Sequence, residues 1–137
     1  MFVYYEKKTS KKKKDLIEEA IAFVGEYYDI DGINIYVEPR RSLLKTLNQA
    51  GNMIYEGEND YAISIDITQS SKDIFVTTLH EMVHVAQFFT GKLSYGENLG
   101  HMFDGKFYPK DVEYRQRPWE IEAHQMEEVL LDQFAKG

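Results

Sequence analysis

The stretch from Ser70 to Gly91 constrains this chain most. Ser70 or Ser71 is an N-cap residue, because a short hydroxyl side chain accepts from the free amides of a first helical turn. Asp73 follows in that turn, where the helix dipole favours an acid. Phe75, Leu79, Met82, Ala86 and Phe89 then recur at helical spacing, and Gly91 is a C-cap signal. The pattern predicts a long helix running to about Thr90. Such a helix must bury its apolar stripe, so the rest of the chain has to pack as layers around it.

The same helix carries His80-Glu81-Met82-Val83-His84. Residues four apart project from one face of a helix. His80 and His84 lie off the apolar stripe, with Thr77 and Gln87 near them, so this helix has a separate polar side. Two imidazoles at that spacing can hold one zinc ion. Zinc lowers the pKa of a bound water and polarises a carbonyl, and a carboxylate beside that water can take its proton and return it to a leaving amine. Glu81 is placed for that work. With only 4 histidines in 137 residues, the pattern arises by chance roughly once in a hundred such chains. It is therefore read as chemistry and not as two surface histidines.

Composition limits the alternatives. The chain has no cysteine, so disulfides and thiolate ligands are excluded and any metal is held by histidine and carboxylate. No apolar run approaches a membrane span. The short apolar start, Phe2 to Tyr5, precedes its lysines, the reverse of a secretory signal, so an intracellular, cytoplasmic location is expected. The net charge of −7 is uneven. Residues 1–14 carry six lysines against Glu6, or +5, which leaves −12 for the remainder. An acidic body argues against a duplex-binding surface. The Lys7–Lys14 run can contact nucleic acid, but a solvated, partly flexible basic segment is the plainer reading.

Residues 1–14 are thus set apart from a single domain, 15–137. Asp15 with Glu18 reads as a capping box, and Ile17, Ala20, Ile21, Val24 and Tyr28 give a helix over 15–28. Ile33, Ile35 and Val37 alternate as a strand that Pro39 ends. Residues 42–50 fit either a short helix capped by Ser42 or a strand. Met53–Tyr55 and Tyr61–Ile67 read as strands joined by the turn Gly57-Glu58-Asn59-Asp60. Residues 91–117 read as a glycine-rich loop with a strand at Lys106–Tyr108. Pro118 opens a last helix with the stripe Trp119, Ala123, Met126, Leu130 and Phe134. The fold class is α+β.

A catalytic zinc needs a third protein ligand. His101, Glu120, Glu122 and His124 are the downstream candidates. Glu120 also fits a first helical turn simply as an acid at the dipole's positive end. His124, one turn on, can support a ligand from behind.

Residues 60–131 resemble small gluzincin-type metallopeptidases, most nearly SprT-like and phage-encoded minimal peptidases. The resemblance rests on His80-Glu81-Met82-Val83-His84-Val85-Ala86-Gln87, on Phe103-Asp104-Gly105-Lys106, and on Tyr114-Arg115-Gln116-Arg117-Pro118-Trp119-Glu120-Ile121-Glu122-Ala123. It implies a zincin-like single domain, with a small, mainly antiparallel sheet packed against an N-terminal helix and the active-site helix, and a C-terminal helix. It also implies His80, His84 and Glu120 as the ligands of one Zn2+ per chain. Some SprT-like proteins instead use a histidine in a Gly-His context, which Gly100-His101 matches. By the same resemblance, Tyr61–Ile67 forms the upper rim of the cleft and offers its edge to a peptide.

The expectation is a zinc metalloendopeptidase acting on protein or peptide substrates, with Glu81 as general base and acid. A monomer is expected. Tyr114 is the first choice for the oxyanion donor, with Tyr108, Arg115 and His101 as alternatives. The rival readings are an inactive zincin-fold module that binds a protein partner, and a nucleic-acid-associated protein steered by its lysines.

Overall fold

In the computed structural model, which describes residues 1–137, the first helix, α1, spans Lys11–Tyr27. Its N-cap is Ser10, whose hydroxyl accepts from the Lys13 amide. The helix therefore starts at Lys11 and not at Asp15. A serine in extended backbone satisfies a free amide, and lysine is a good helix former once that cap is set. Lys11 to Lys14 form the first turn, where Lys11 pairs with Asp15 at 2.8 Å. Ile17, Ala20, Ile21 and Val24 are buried, as their spacing predicts.

The main sheet contains β1 (Phe2–Tyr5), β2 (Asn34–Arg40), β3 (Gly51–Gly57) and β4 (Asp60–Asp66), in the order β1-β2-β4-β3. β1 and β2 are parallel, β2 and β4 are parallel, and only β3 and β4 are antiparallel. The main sheet is therefore mixed, not mainly antiparallel. The β3–β4 hairpin is local and its turn is legible. β1 and β2 are parallel because α1 carries the chain back across the sheet between them, and β2 and β4 are parallel because β3, reached through residues 41–50, lies outside β4; nothing local records either path.

Pro39 does not end β2; it is buried and paired in register with Ile65. Glu6 donates its amide to the carbonyl of Val37, so Val37 and, by alternation, Pro39 face the β1 side. β1 has ended by then, so the missing proline N–H costs no ladder bond. The ambiguous stretch after β2 forms a short helix, α2 (Leu43–Leu47), which ends at Asn48 in the left-handed conformation. Asp66, fully buried, accepts from the amides of Leu44 (2.9 Å) and Thr68 (2.8 Å) and pins α2 beside the connection that leads into the next helix.

That helix, α3, spans Ser71–Phe89 with Ser70 as N-cap, its hydroxyl accepting from Asp73 N–H. One face of the main sheet, with Ile35, Val37, Tyr61, Ile63 and Ile65, packs against α1 and α3 to form the principal core. The last helix, α4 (Pro118–Lys136), covers another side of α3 through Ala123 and Leu130. Because α3 is covered on several sides, Val83 and Val85 are as buried as the predicted stripe, while Phe89 is 40% exposed at its end.

The expected loop over 91–117 contains a second, antiparallel sheet of β5 (Leu93–Tyr95), β6 (His101–Phe103) and β7 (Lys106–Tyr108). Asp104 and Gly105 turn between β6 and β7 with φ of 50° and 79°, the pattern that an Asp-Gly pair favours. Leu93 and Phe103 pack with Trp119 into a small second core. No helix is long and apolar enough to cross a membrane.

Candidate metal centre

His80, Glu81 and His84 sit midway along α3, where the helix lines a cleft of about 820 Å³. They are only 7%, 6% and 7% exposed. Burying three ionisable groups in one stretch of helix is costly unless each is paired. The two histidines find carboxylate partners on α4, and Glu81 has none. Pro118 and the extended Arg117 start that helix so that Glu120, in its first turn, points at both histidines. Glu120 Oε1 lies 3.0 Å from His80 Nε2 and 3.0 Å from His84 Nε2. The three ligand atoms lie within 4.8 Å of one another.

The outer nitrogens decide what those inner atoms are. Gln87 Nε2 donates to the Trp119 carbonyl (2.9 Å) and to Glu122 (3.0 Å), so its amide oxygen faces His84 Nδ1 at 2.8 Å. An amide oxygen only accepts, so His84 Nδ1 carries the proton. His80 Nδ1 meets the Glu127 carboxylate at 2.9 Å and must likewise donate. Both Nε2 atoms are therefore the ring positions left to offer lone pairs, and both aim at a carboxylate oxygen. Three lone-pair donors converging at one place require a cation among them. These residues form a zincin-type metal-binding triad. Its two nitrogens and one oxygen fit a divalent metal ion.

Without a metal, protons take the cation's part. Burial works against charge on His80, but Glu120 and Glu127 outweigh it and raise His80 to about 10. His84 is raised as well, burial again being outweighed by Glu120. Burial also opposes ionisation of Glu120, yet the two histidines hold its carboxyl well below the usual range. Glu81 makes no bond within the triad. Burial pushes its carboxyl up to about 7, against the pull of His84 and His80.

Of the other downstream candidates, His101 and Glu122 stand apart from the triad, while His124 offers a ligand atom within 4.8 Å of those of His80 and Glu127. His101, on β6, stacks on Trp119 with ring centroids 4.7 Å apart and lines the cleft away from the triad. Glu122 bonds Gln87 and Lys92 instead of the histidines. His124 lies beside His80, centroids 4.5 Å apart, and contacts Tyr114 Oη at 3.0 Å. Tyr114 Oη also donates to Glu120 Oε1 at 2.9 Å. Tyr108 packs on Trp119, and Arg115 is exposed; neither lines the cleft.

In comparison with known proteins, no family model, curated protein or solved structure matches this chain. The spacing His80-Glu81-x-x-His84 with Glu120 matches the HExxH zinc-metallopeptidase signature.

Sequence reasoning missed Glu127. It lies on the same face of α4 as Glu120 and His124, two turns and one turn away, so helical spacing from Glu120 points to it. Partners of this kind hold a ligand's tautomer and typically change metal affinity 10- to 100-fold when removed. Glu127→Ala is expected to weaken metal binding by about that factor while leaving helical content unchanged. Competition with a chromophoric chelator measures it, and unaltered affinity would remove Glu127 from the site.

The strand spanning Tyr61–Ile67, expected at the edge, is β4, which lies between β2 and β3 and has no free edge. The edge strand at the cleft is β3, whose first residues line it. Gly51 lets β3 lie directly on α3. A Cβ there would stand 2.8 Å from the Ser64 carbonyl oxygen, 2.8 Å from Thr77 Cγ2 and 3.5 Å from Glu81 Cγ. Gly51→Ala therefore forces the strand off the helix and should cost about 1–3 kcal/mol. Urea unfolding tests this, and an unchanged midpoint would contradict the packing.

Proposed function

We propose that this protein is a zinc-dependent endopeptidase that cleaves extended segments of protein substrates. The observation that carries the reading is the pairing of a three-ligand triad with a buried carboxylate that binds none of it. His80, His84 and Glu120 hold the metal, and Glu81 stands next to them in the cleft wall.

A zinc ion at this triad supplies Lewis acidity, making a water nucleophilic near neutral pH and polarising a peptide carbonyl. Glu81 accepts the proton of the attacking water and delivers it to the leaving amide nitrogen. Its burial suits the task, because desolvation disfavours the charged form and so favours holding the proton until it is delivered. Tyr114, which lines the cleft and donates its O–H to Glu120 Oε1, is the phenol nearest the triad, and turning that O–H from the carboxylate to the carbonyl oxyanion would stabilise the developing charge. Glu127 and Gln87 keep the two imidazoles in the tautomer that binds metal. The outer edge of β3 supplies backbone donors and acceptors, which bind an extended peptide with little regard to sequence.

Metal analysis of the purified protein with cleavage of an unfolded protein substrate tests the proposal. One zinc per chain and chelator-sensitive cleavage are expected. A zinc-loaded protein that cleaves none of several unfolded substrates would favour the partner-binding alternative instead.

A further inference from the structure

The outer edge of β3 is not open along its whole length. The Tyr95 hydroxyl, at the end of β5, accepts from the Tyr55 amide at 3.1 Å and donates to the Tyr55 carbonyl at 3.0 Å. One phenol thus occupies both backbone groups that a paired residue would use. The Tyr95 ring is held in place by Phe88 at 5.0 Å and Tyr55 at 6.2 Å between centroids.

Alternation along β3 shows which positions stay open. Ala50 accepts from the Asp66 amide, so position 50 faces β4. Tyr55 faces outward to Tyr95. Gly51 and Met53 share the outward phase of Tyr55, because backbone groups in a strand alternate with period two. No strand pairs with them, and both line the cleft. Gly51 lies against Thr77 and Glu81, and Tyr55 lies against Phe88, so β3 and α3 run side by side in the same direction. The metal ligands His80 and His84 fall between those two contacts. A peptide paired antiparallel to β3 then has the bond to be cleaved near Gly51 and Met53, and its N-terminal part heads toward Tyr55.

We propose that Tyr95 is a specificity-determining residue that ends the substrate-binding edge: an extended peptide pairs with Gly51 and Met53, and the Tyr95 hydroxyl closes the next pairing position, Tyr55, to residues further toward the peptide's N-terminus. The inference rests on the peptidase reading for its substrate and on the Tyr55–Tyr95 contact for its mechanism. Recognition on that side of the cleaved bond is accordingly short. Lengthening a substrate there adds no backbone bonds.

The test uses zinc-loaded full-length protein carrying Glu81→Gln, which binds peptides without turning them over. A series of peptides sharing one cleavage sequence is extended residue by residue at the N-terminal end, and dissociation constants are read by fluorescence anisotropy. With Tyr95 present, affinity should stop rising once the residue opposite Met53 is reached. With Tyr95→Ala added, one further extension should tighten binding about three- to tenfold, the effect of gaining net backbone hydrogen bonds at one ladder position. The same length profile with and without Tyr95 would overturn the proposal. Amide hydrogen exchange gives a readout independent of metal and substrate. Tyr55 N–H should be protected in the parent, and Tyr95→Phe, which keeps the ring, should remove that protection. Exchange at Tyr55 as fast as at Met53 in the parent would overturn the cap even where peptides bind. Failure of every peptide to bind, with Tyr55 protected, would instead overturn the peptidase reading and with it the role in specificity.

Discussion

Glu81→Gln should leave metal content and melting temperature almost unchanged while peptidase activity falls on the order of 10²- to 10⁴-fold, the usual effect of losing an acid–base group. Glutamine keeps the size of the side chain, which matters because Gly51 and Thr77 crowd this part of the helix. It removes only the carboxylate's capacity to take a proton. Glu81 makes no bond to His80, His84 or Glu120, so the triad has no reason to lose its ion. Burial disfavours the charged form of Glu81, so the neutral amide is also no worse a guest at that position. Parallel measurement of zinc content, thermal unfolding and cleavage rate separates the outcomes. A substituted protein that cleaves as fast as the parent would refute Glu81 as the base, even with zinc bound.

Loss of a ligand should act on the metal first. His80→Ala, His84→Ala and Glu120→Ala are each expected to weaken zinc binding on the order of 10²- to 10³-fold, taking roughly 10–16 kcal/mol of zinc affinity as shared among about four ligands. His101→Ala and Glu122→Ala should retain the metal, because neither side chain reaches the triad. The affinity of the parent should also fall as pH is lowered, since protons on His80 and His84 compete directly with the ion. Circular dichroism must accompany Glu120→Ala. Removing that carboxylate leaves two buried histidines facing each other, and a fold defect would otherwise imitate a binding defect. Retention of zinc by Glu120→Ala together with its loss from His101→Ala would move the site to a three-histidine arrangement.

The triad also explains why two elements far apart in sequence must meet. α3 supplies both nitrogens and Glu81, but no third ligand to the triad. α4 provides that ligand and the two residues, His124 and Glu127, that stand behind His80. Gln87 links the two helices further, bonding His84 on one side and Trp119 and Glu122 on the other. The packing of α4 on α3 is thus part of the metal site and not merely a support for it.

Local chemistry made much of this legible in the sequence. A capped, periodic stretch specifies α3, and helical geometry alone places His80 and His84 on one face. Pro118 and the acid that follows it specify the start of α4 and put Glu120 in its first turn. These signals act within a few residues, so one chain suffices to read them. Other features depend on contacts that no local pattern encodes. Which of Glu120, His101, Glu122 and His124 completes the triad depends on how α4 packs against α3. Whether β4 or β3 forms the edge beside the cleft depends on the path after β2, which passes through α2 and lays β3 outside β4, a long-range placement that no strand's own residues record. The start of α1 shows the same division on a smaller scale. Both Ser10 and Asp15 are competent caps, and the helix takes the earlier one. The closing of the β3 edge by Tyr95 lies furthest from the sequence. It joins residues 55 and 95 through one hydroxyl, at a distance set only when the second sheet folds over the first.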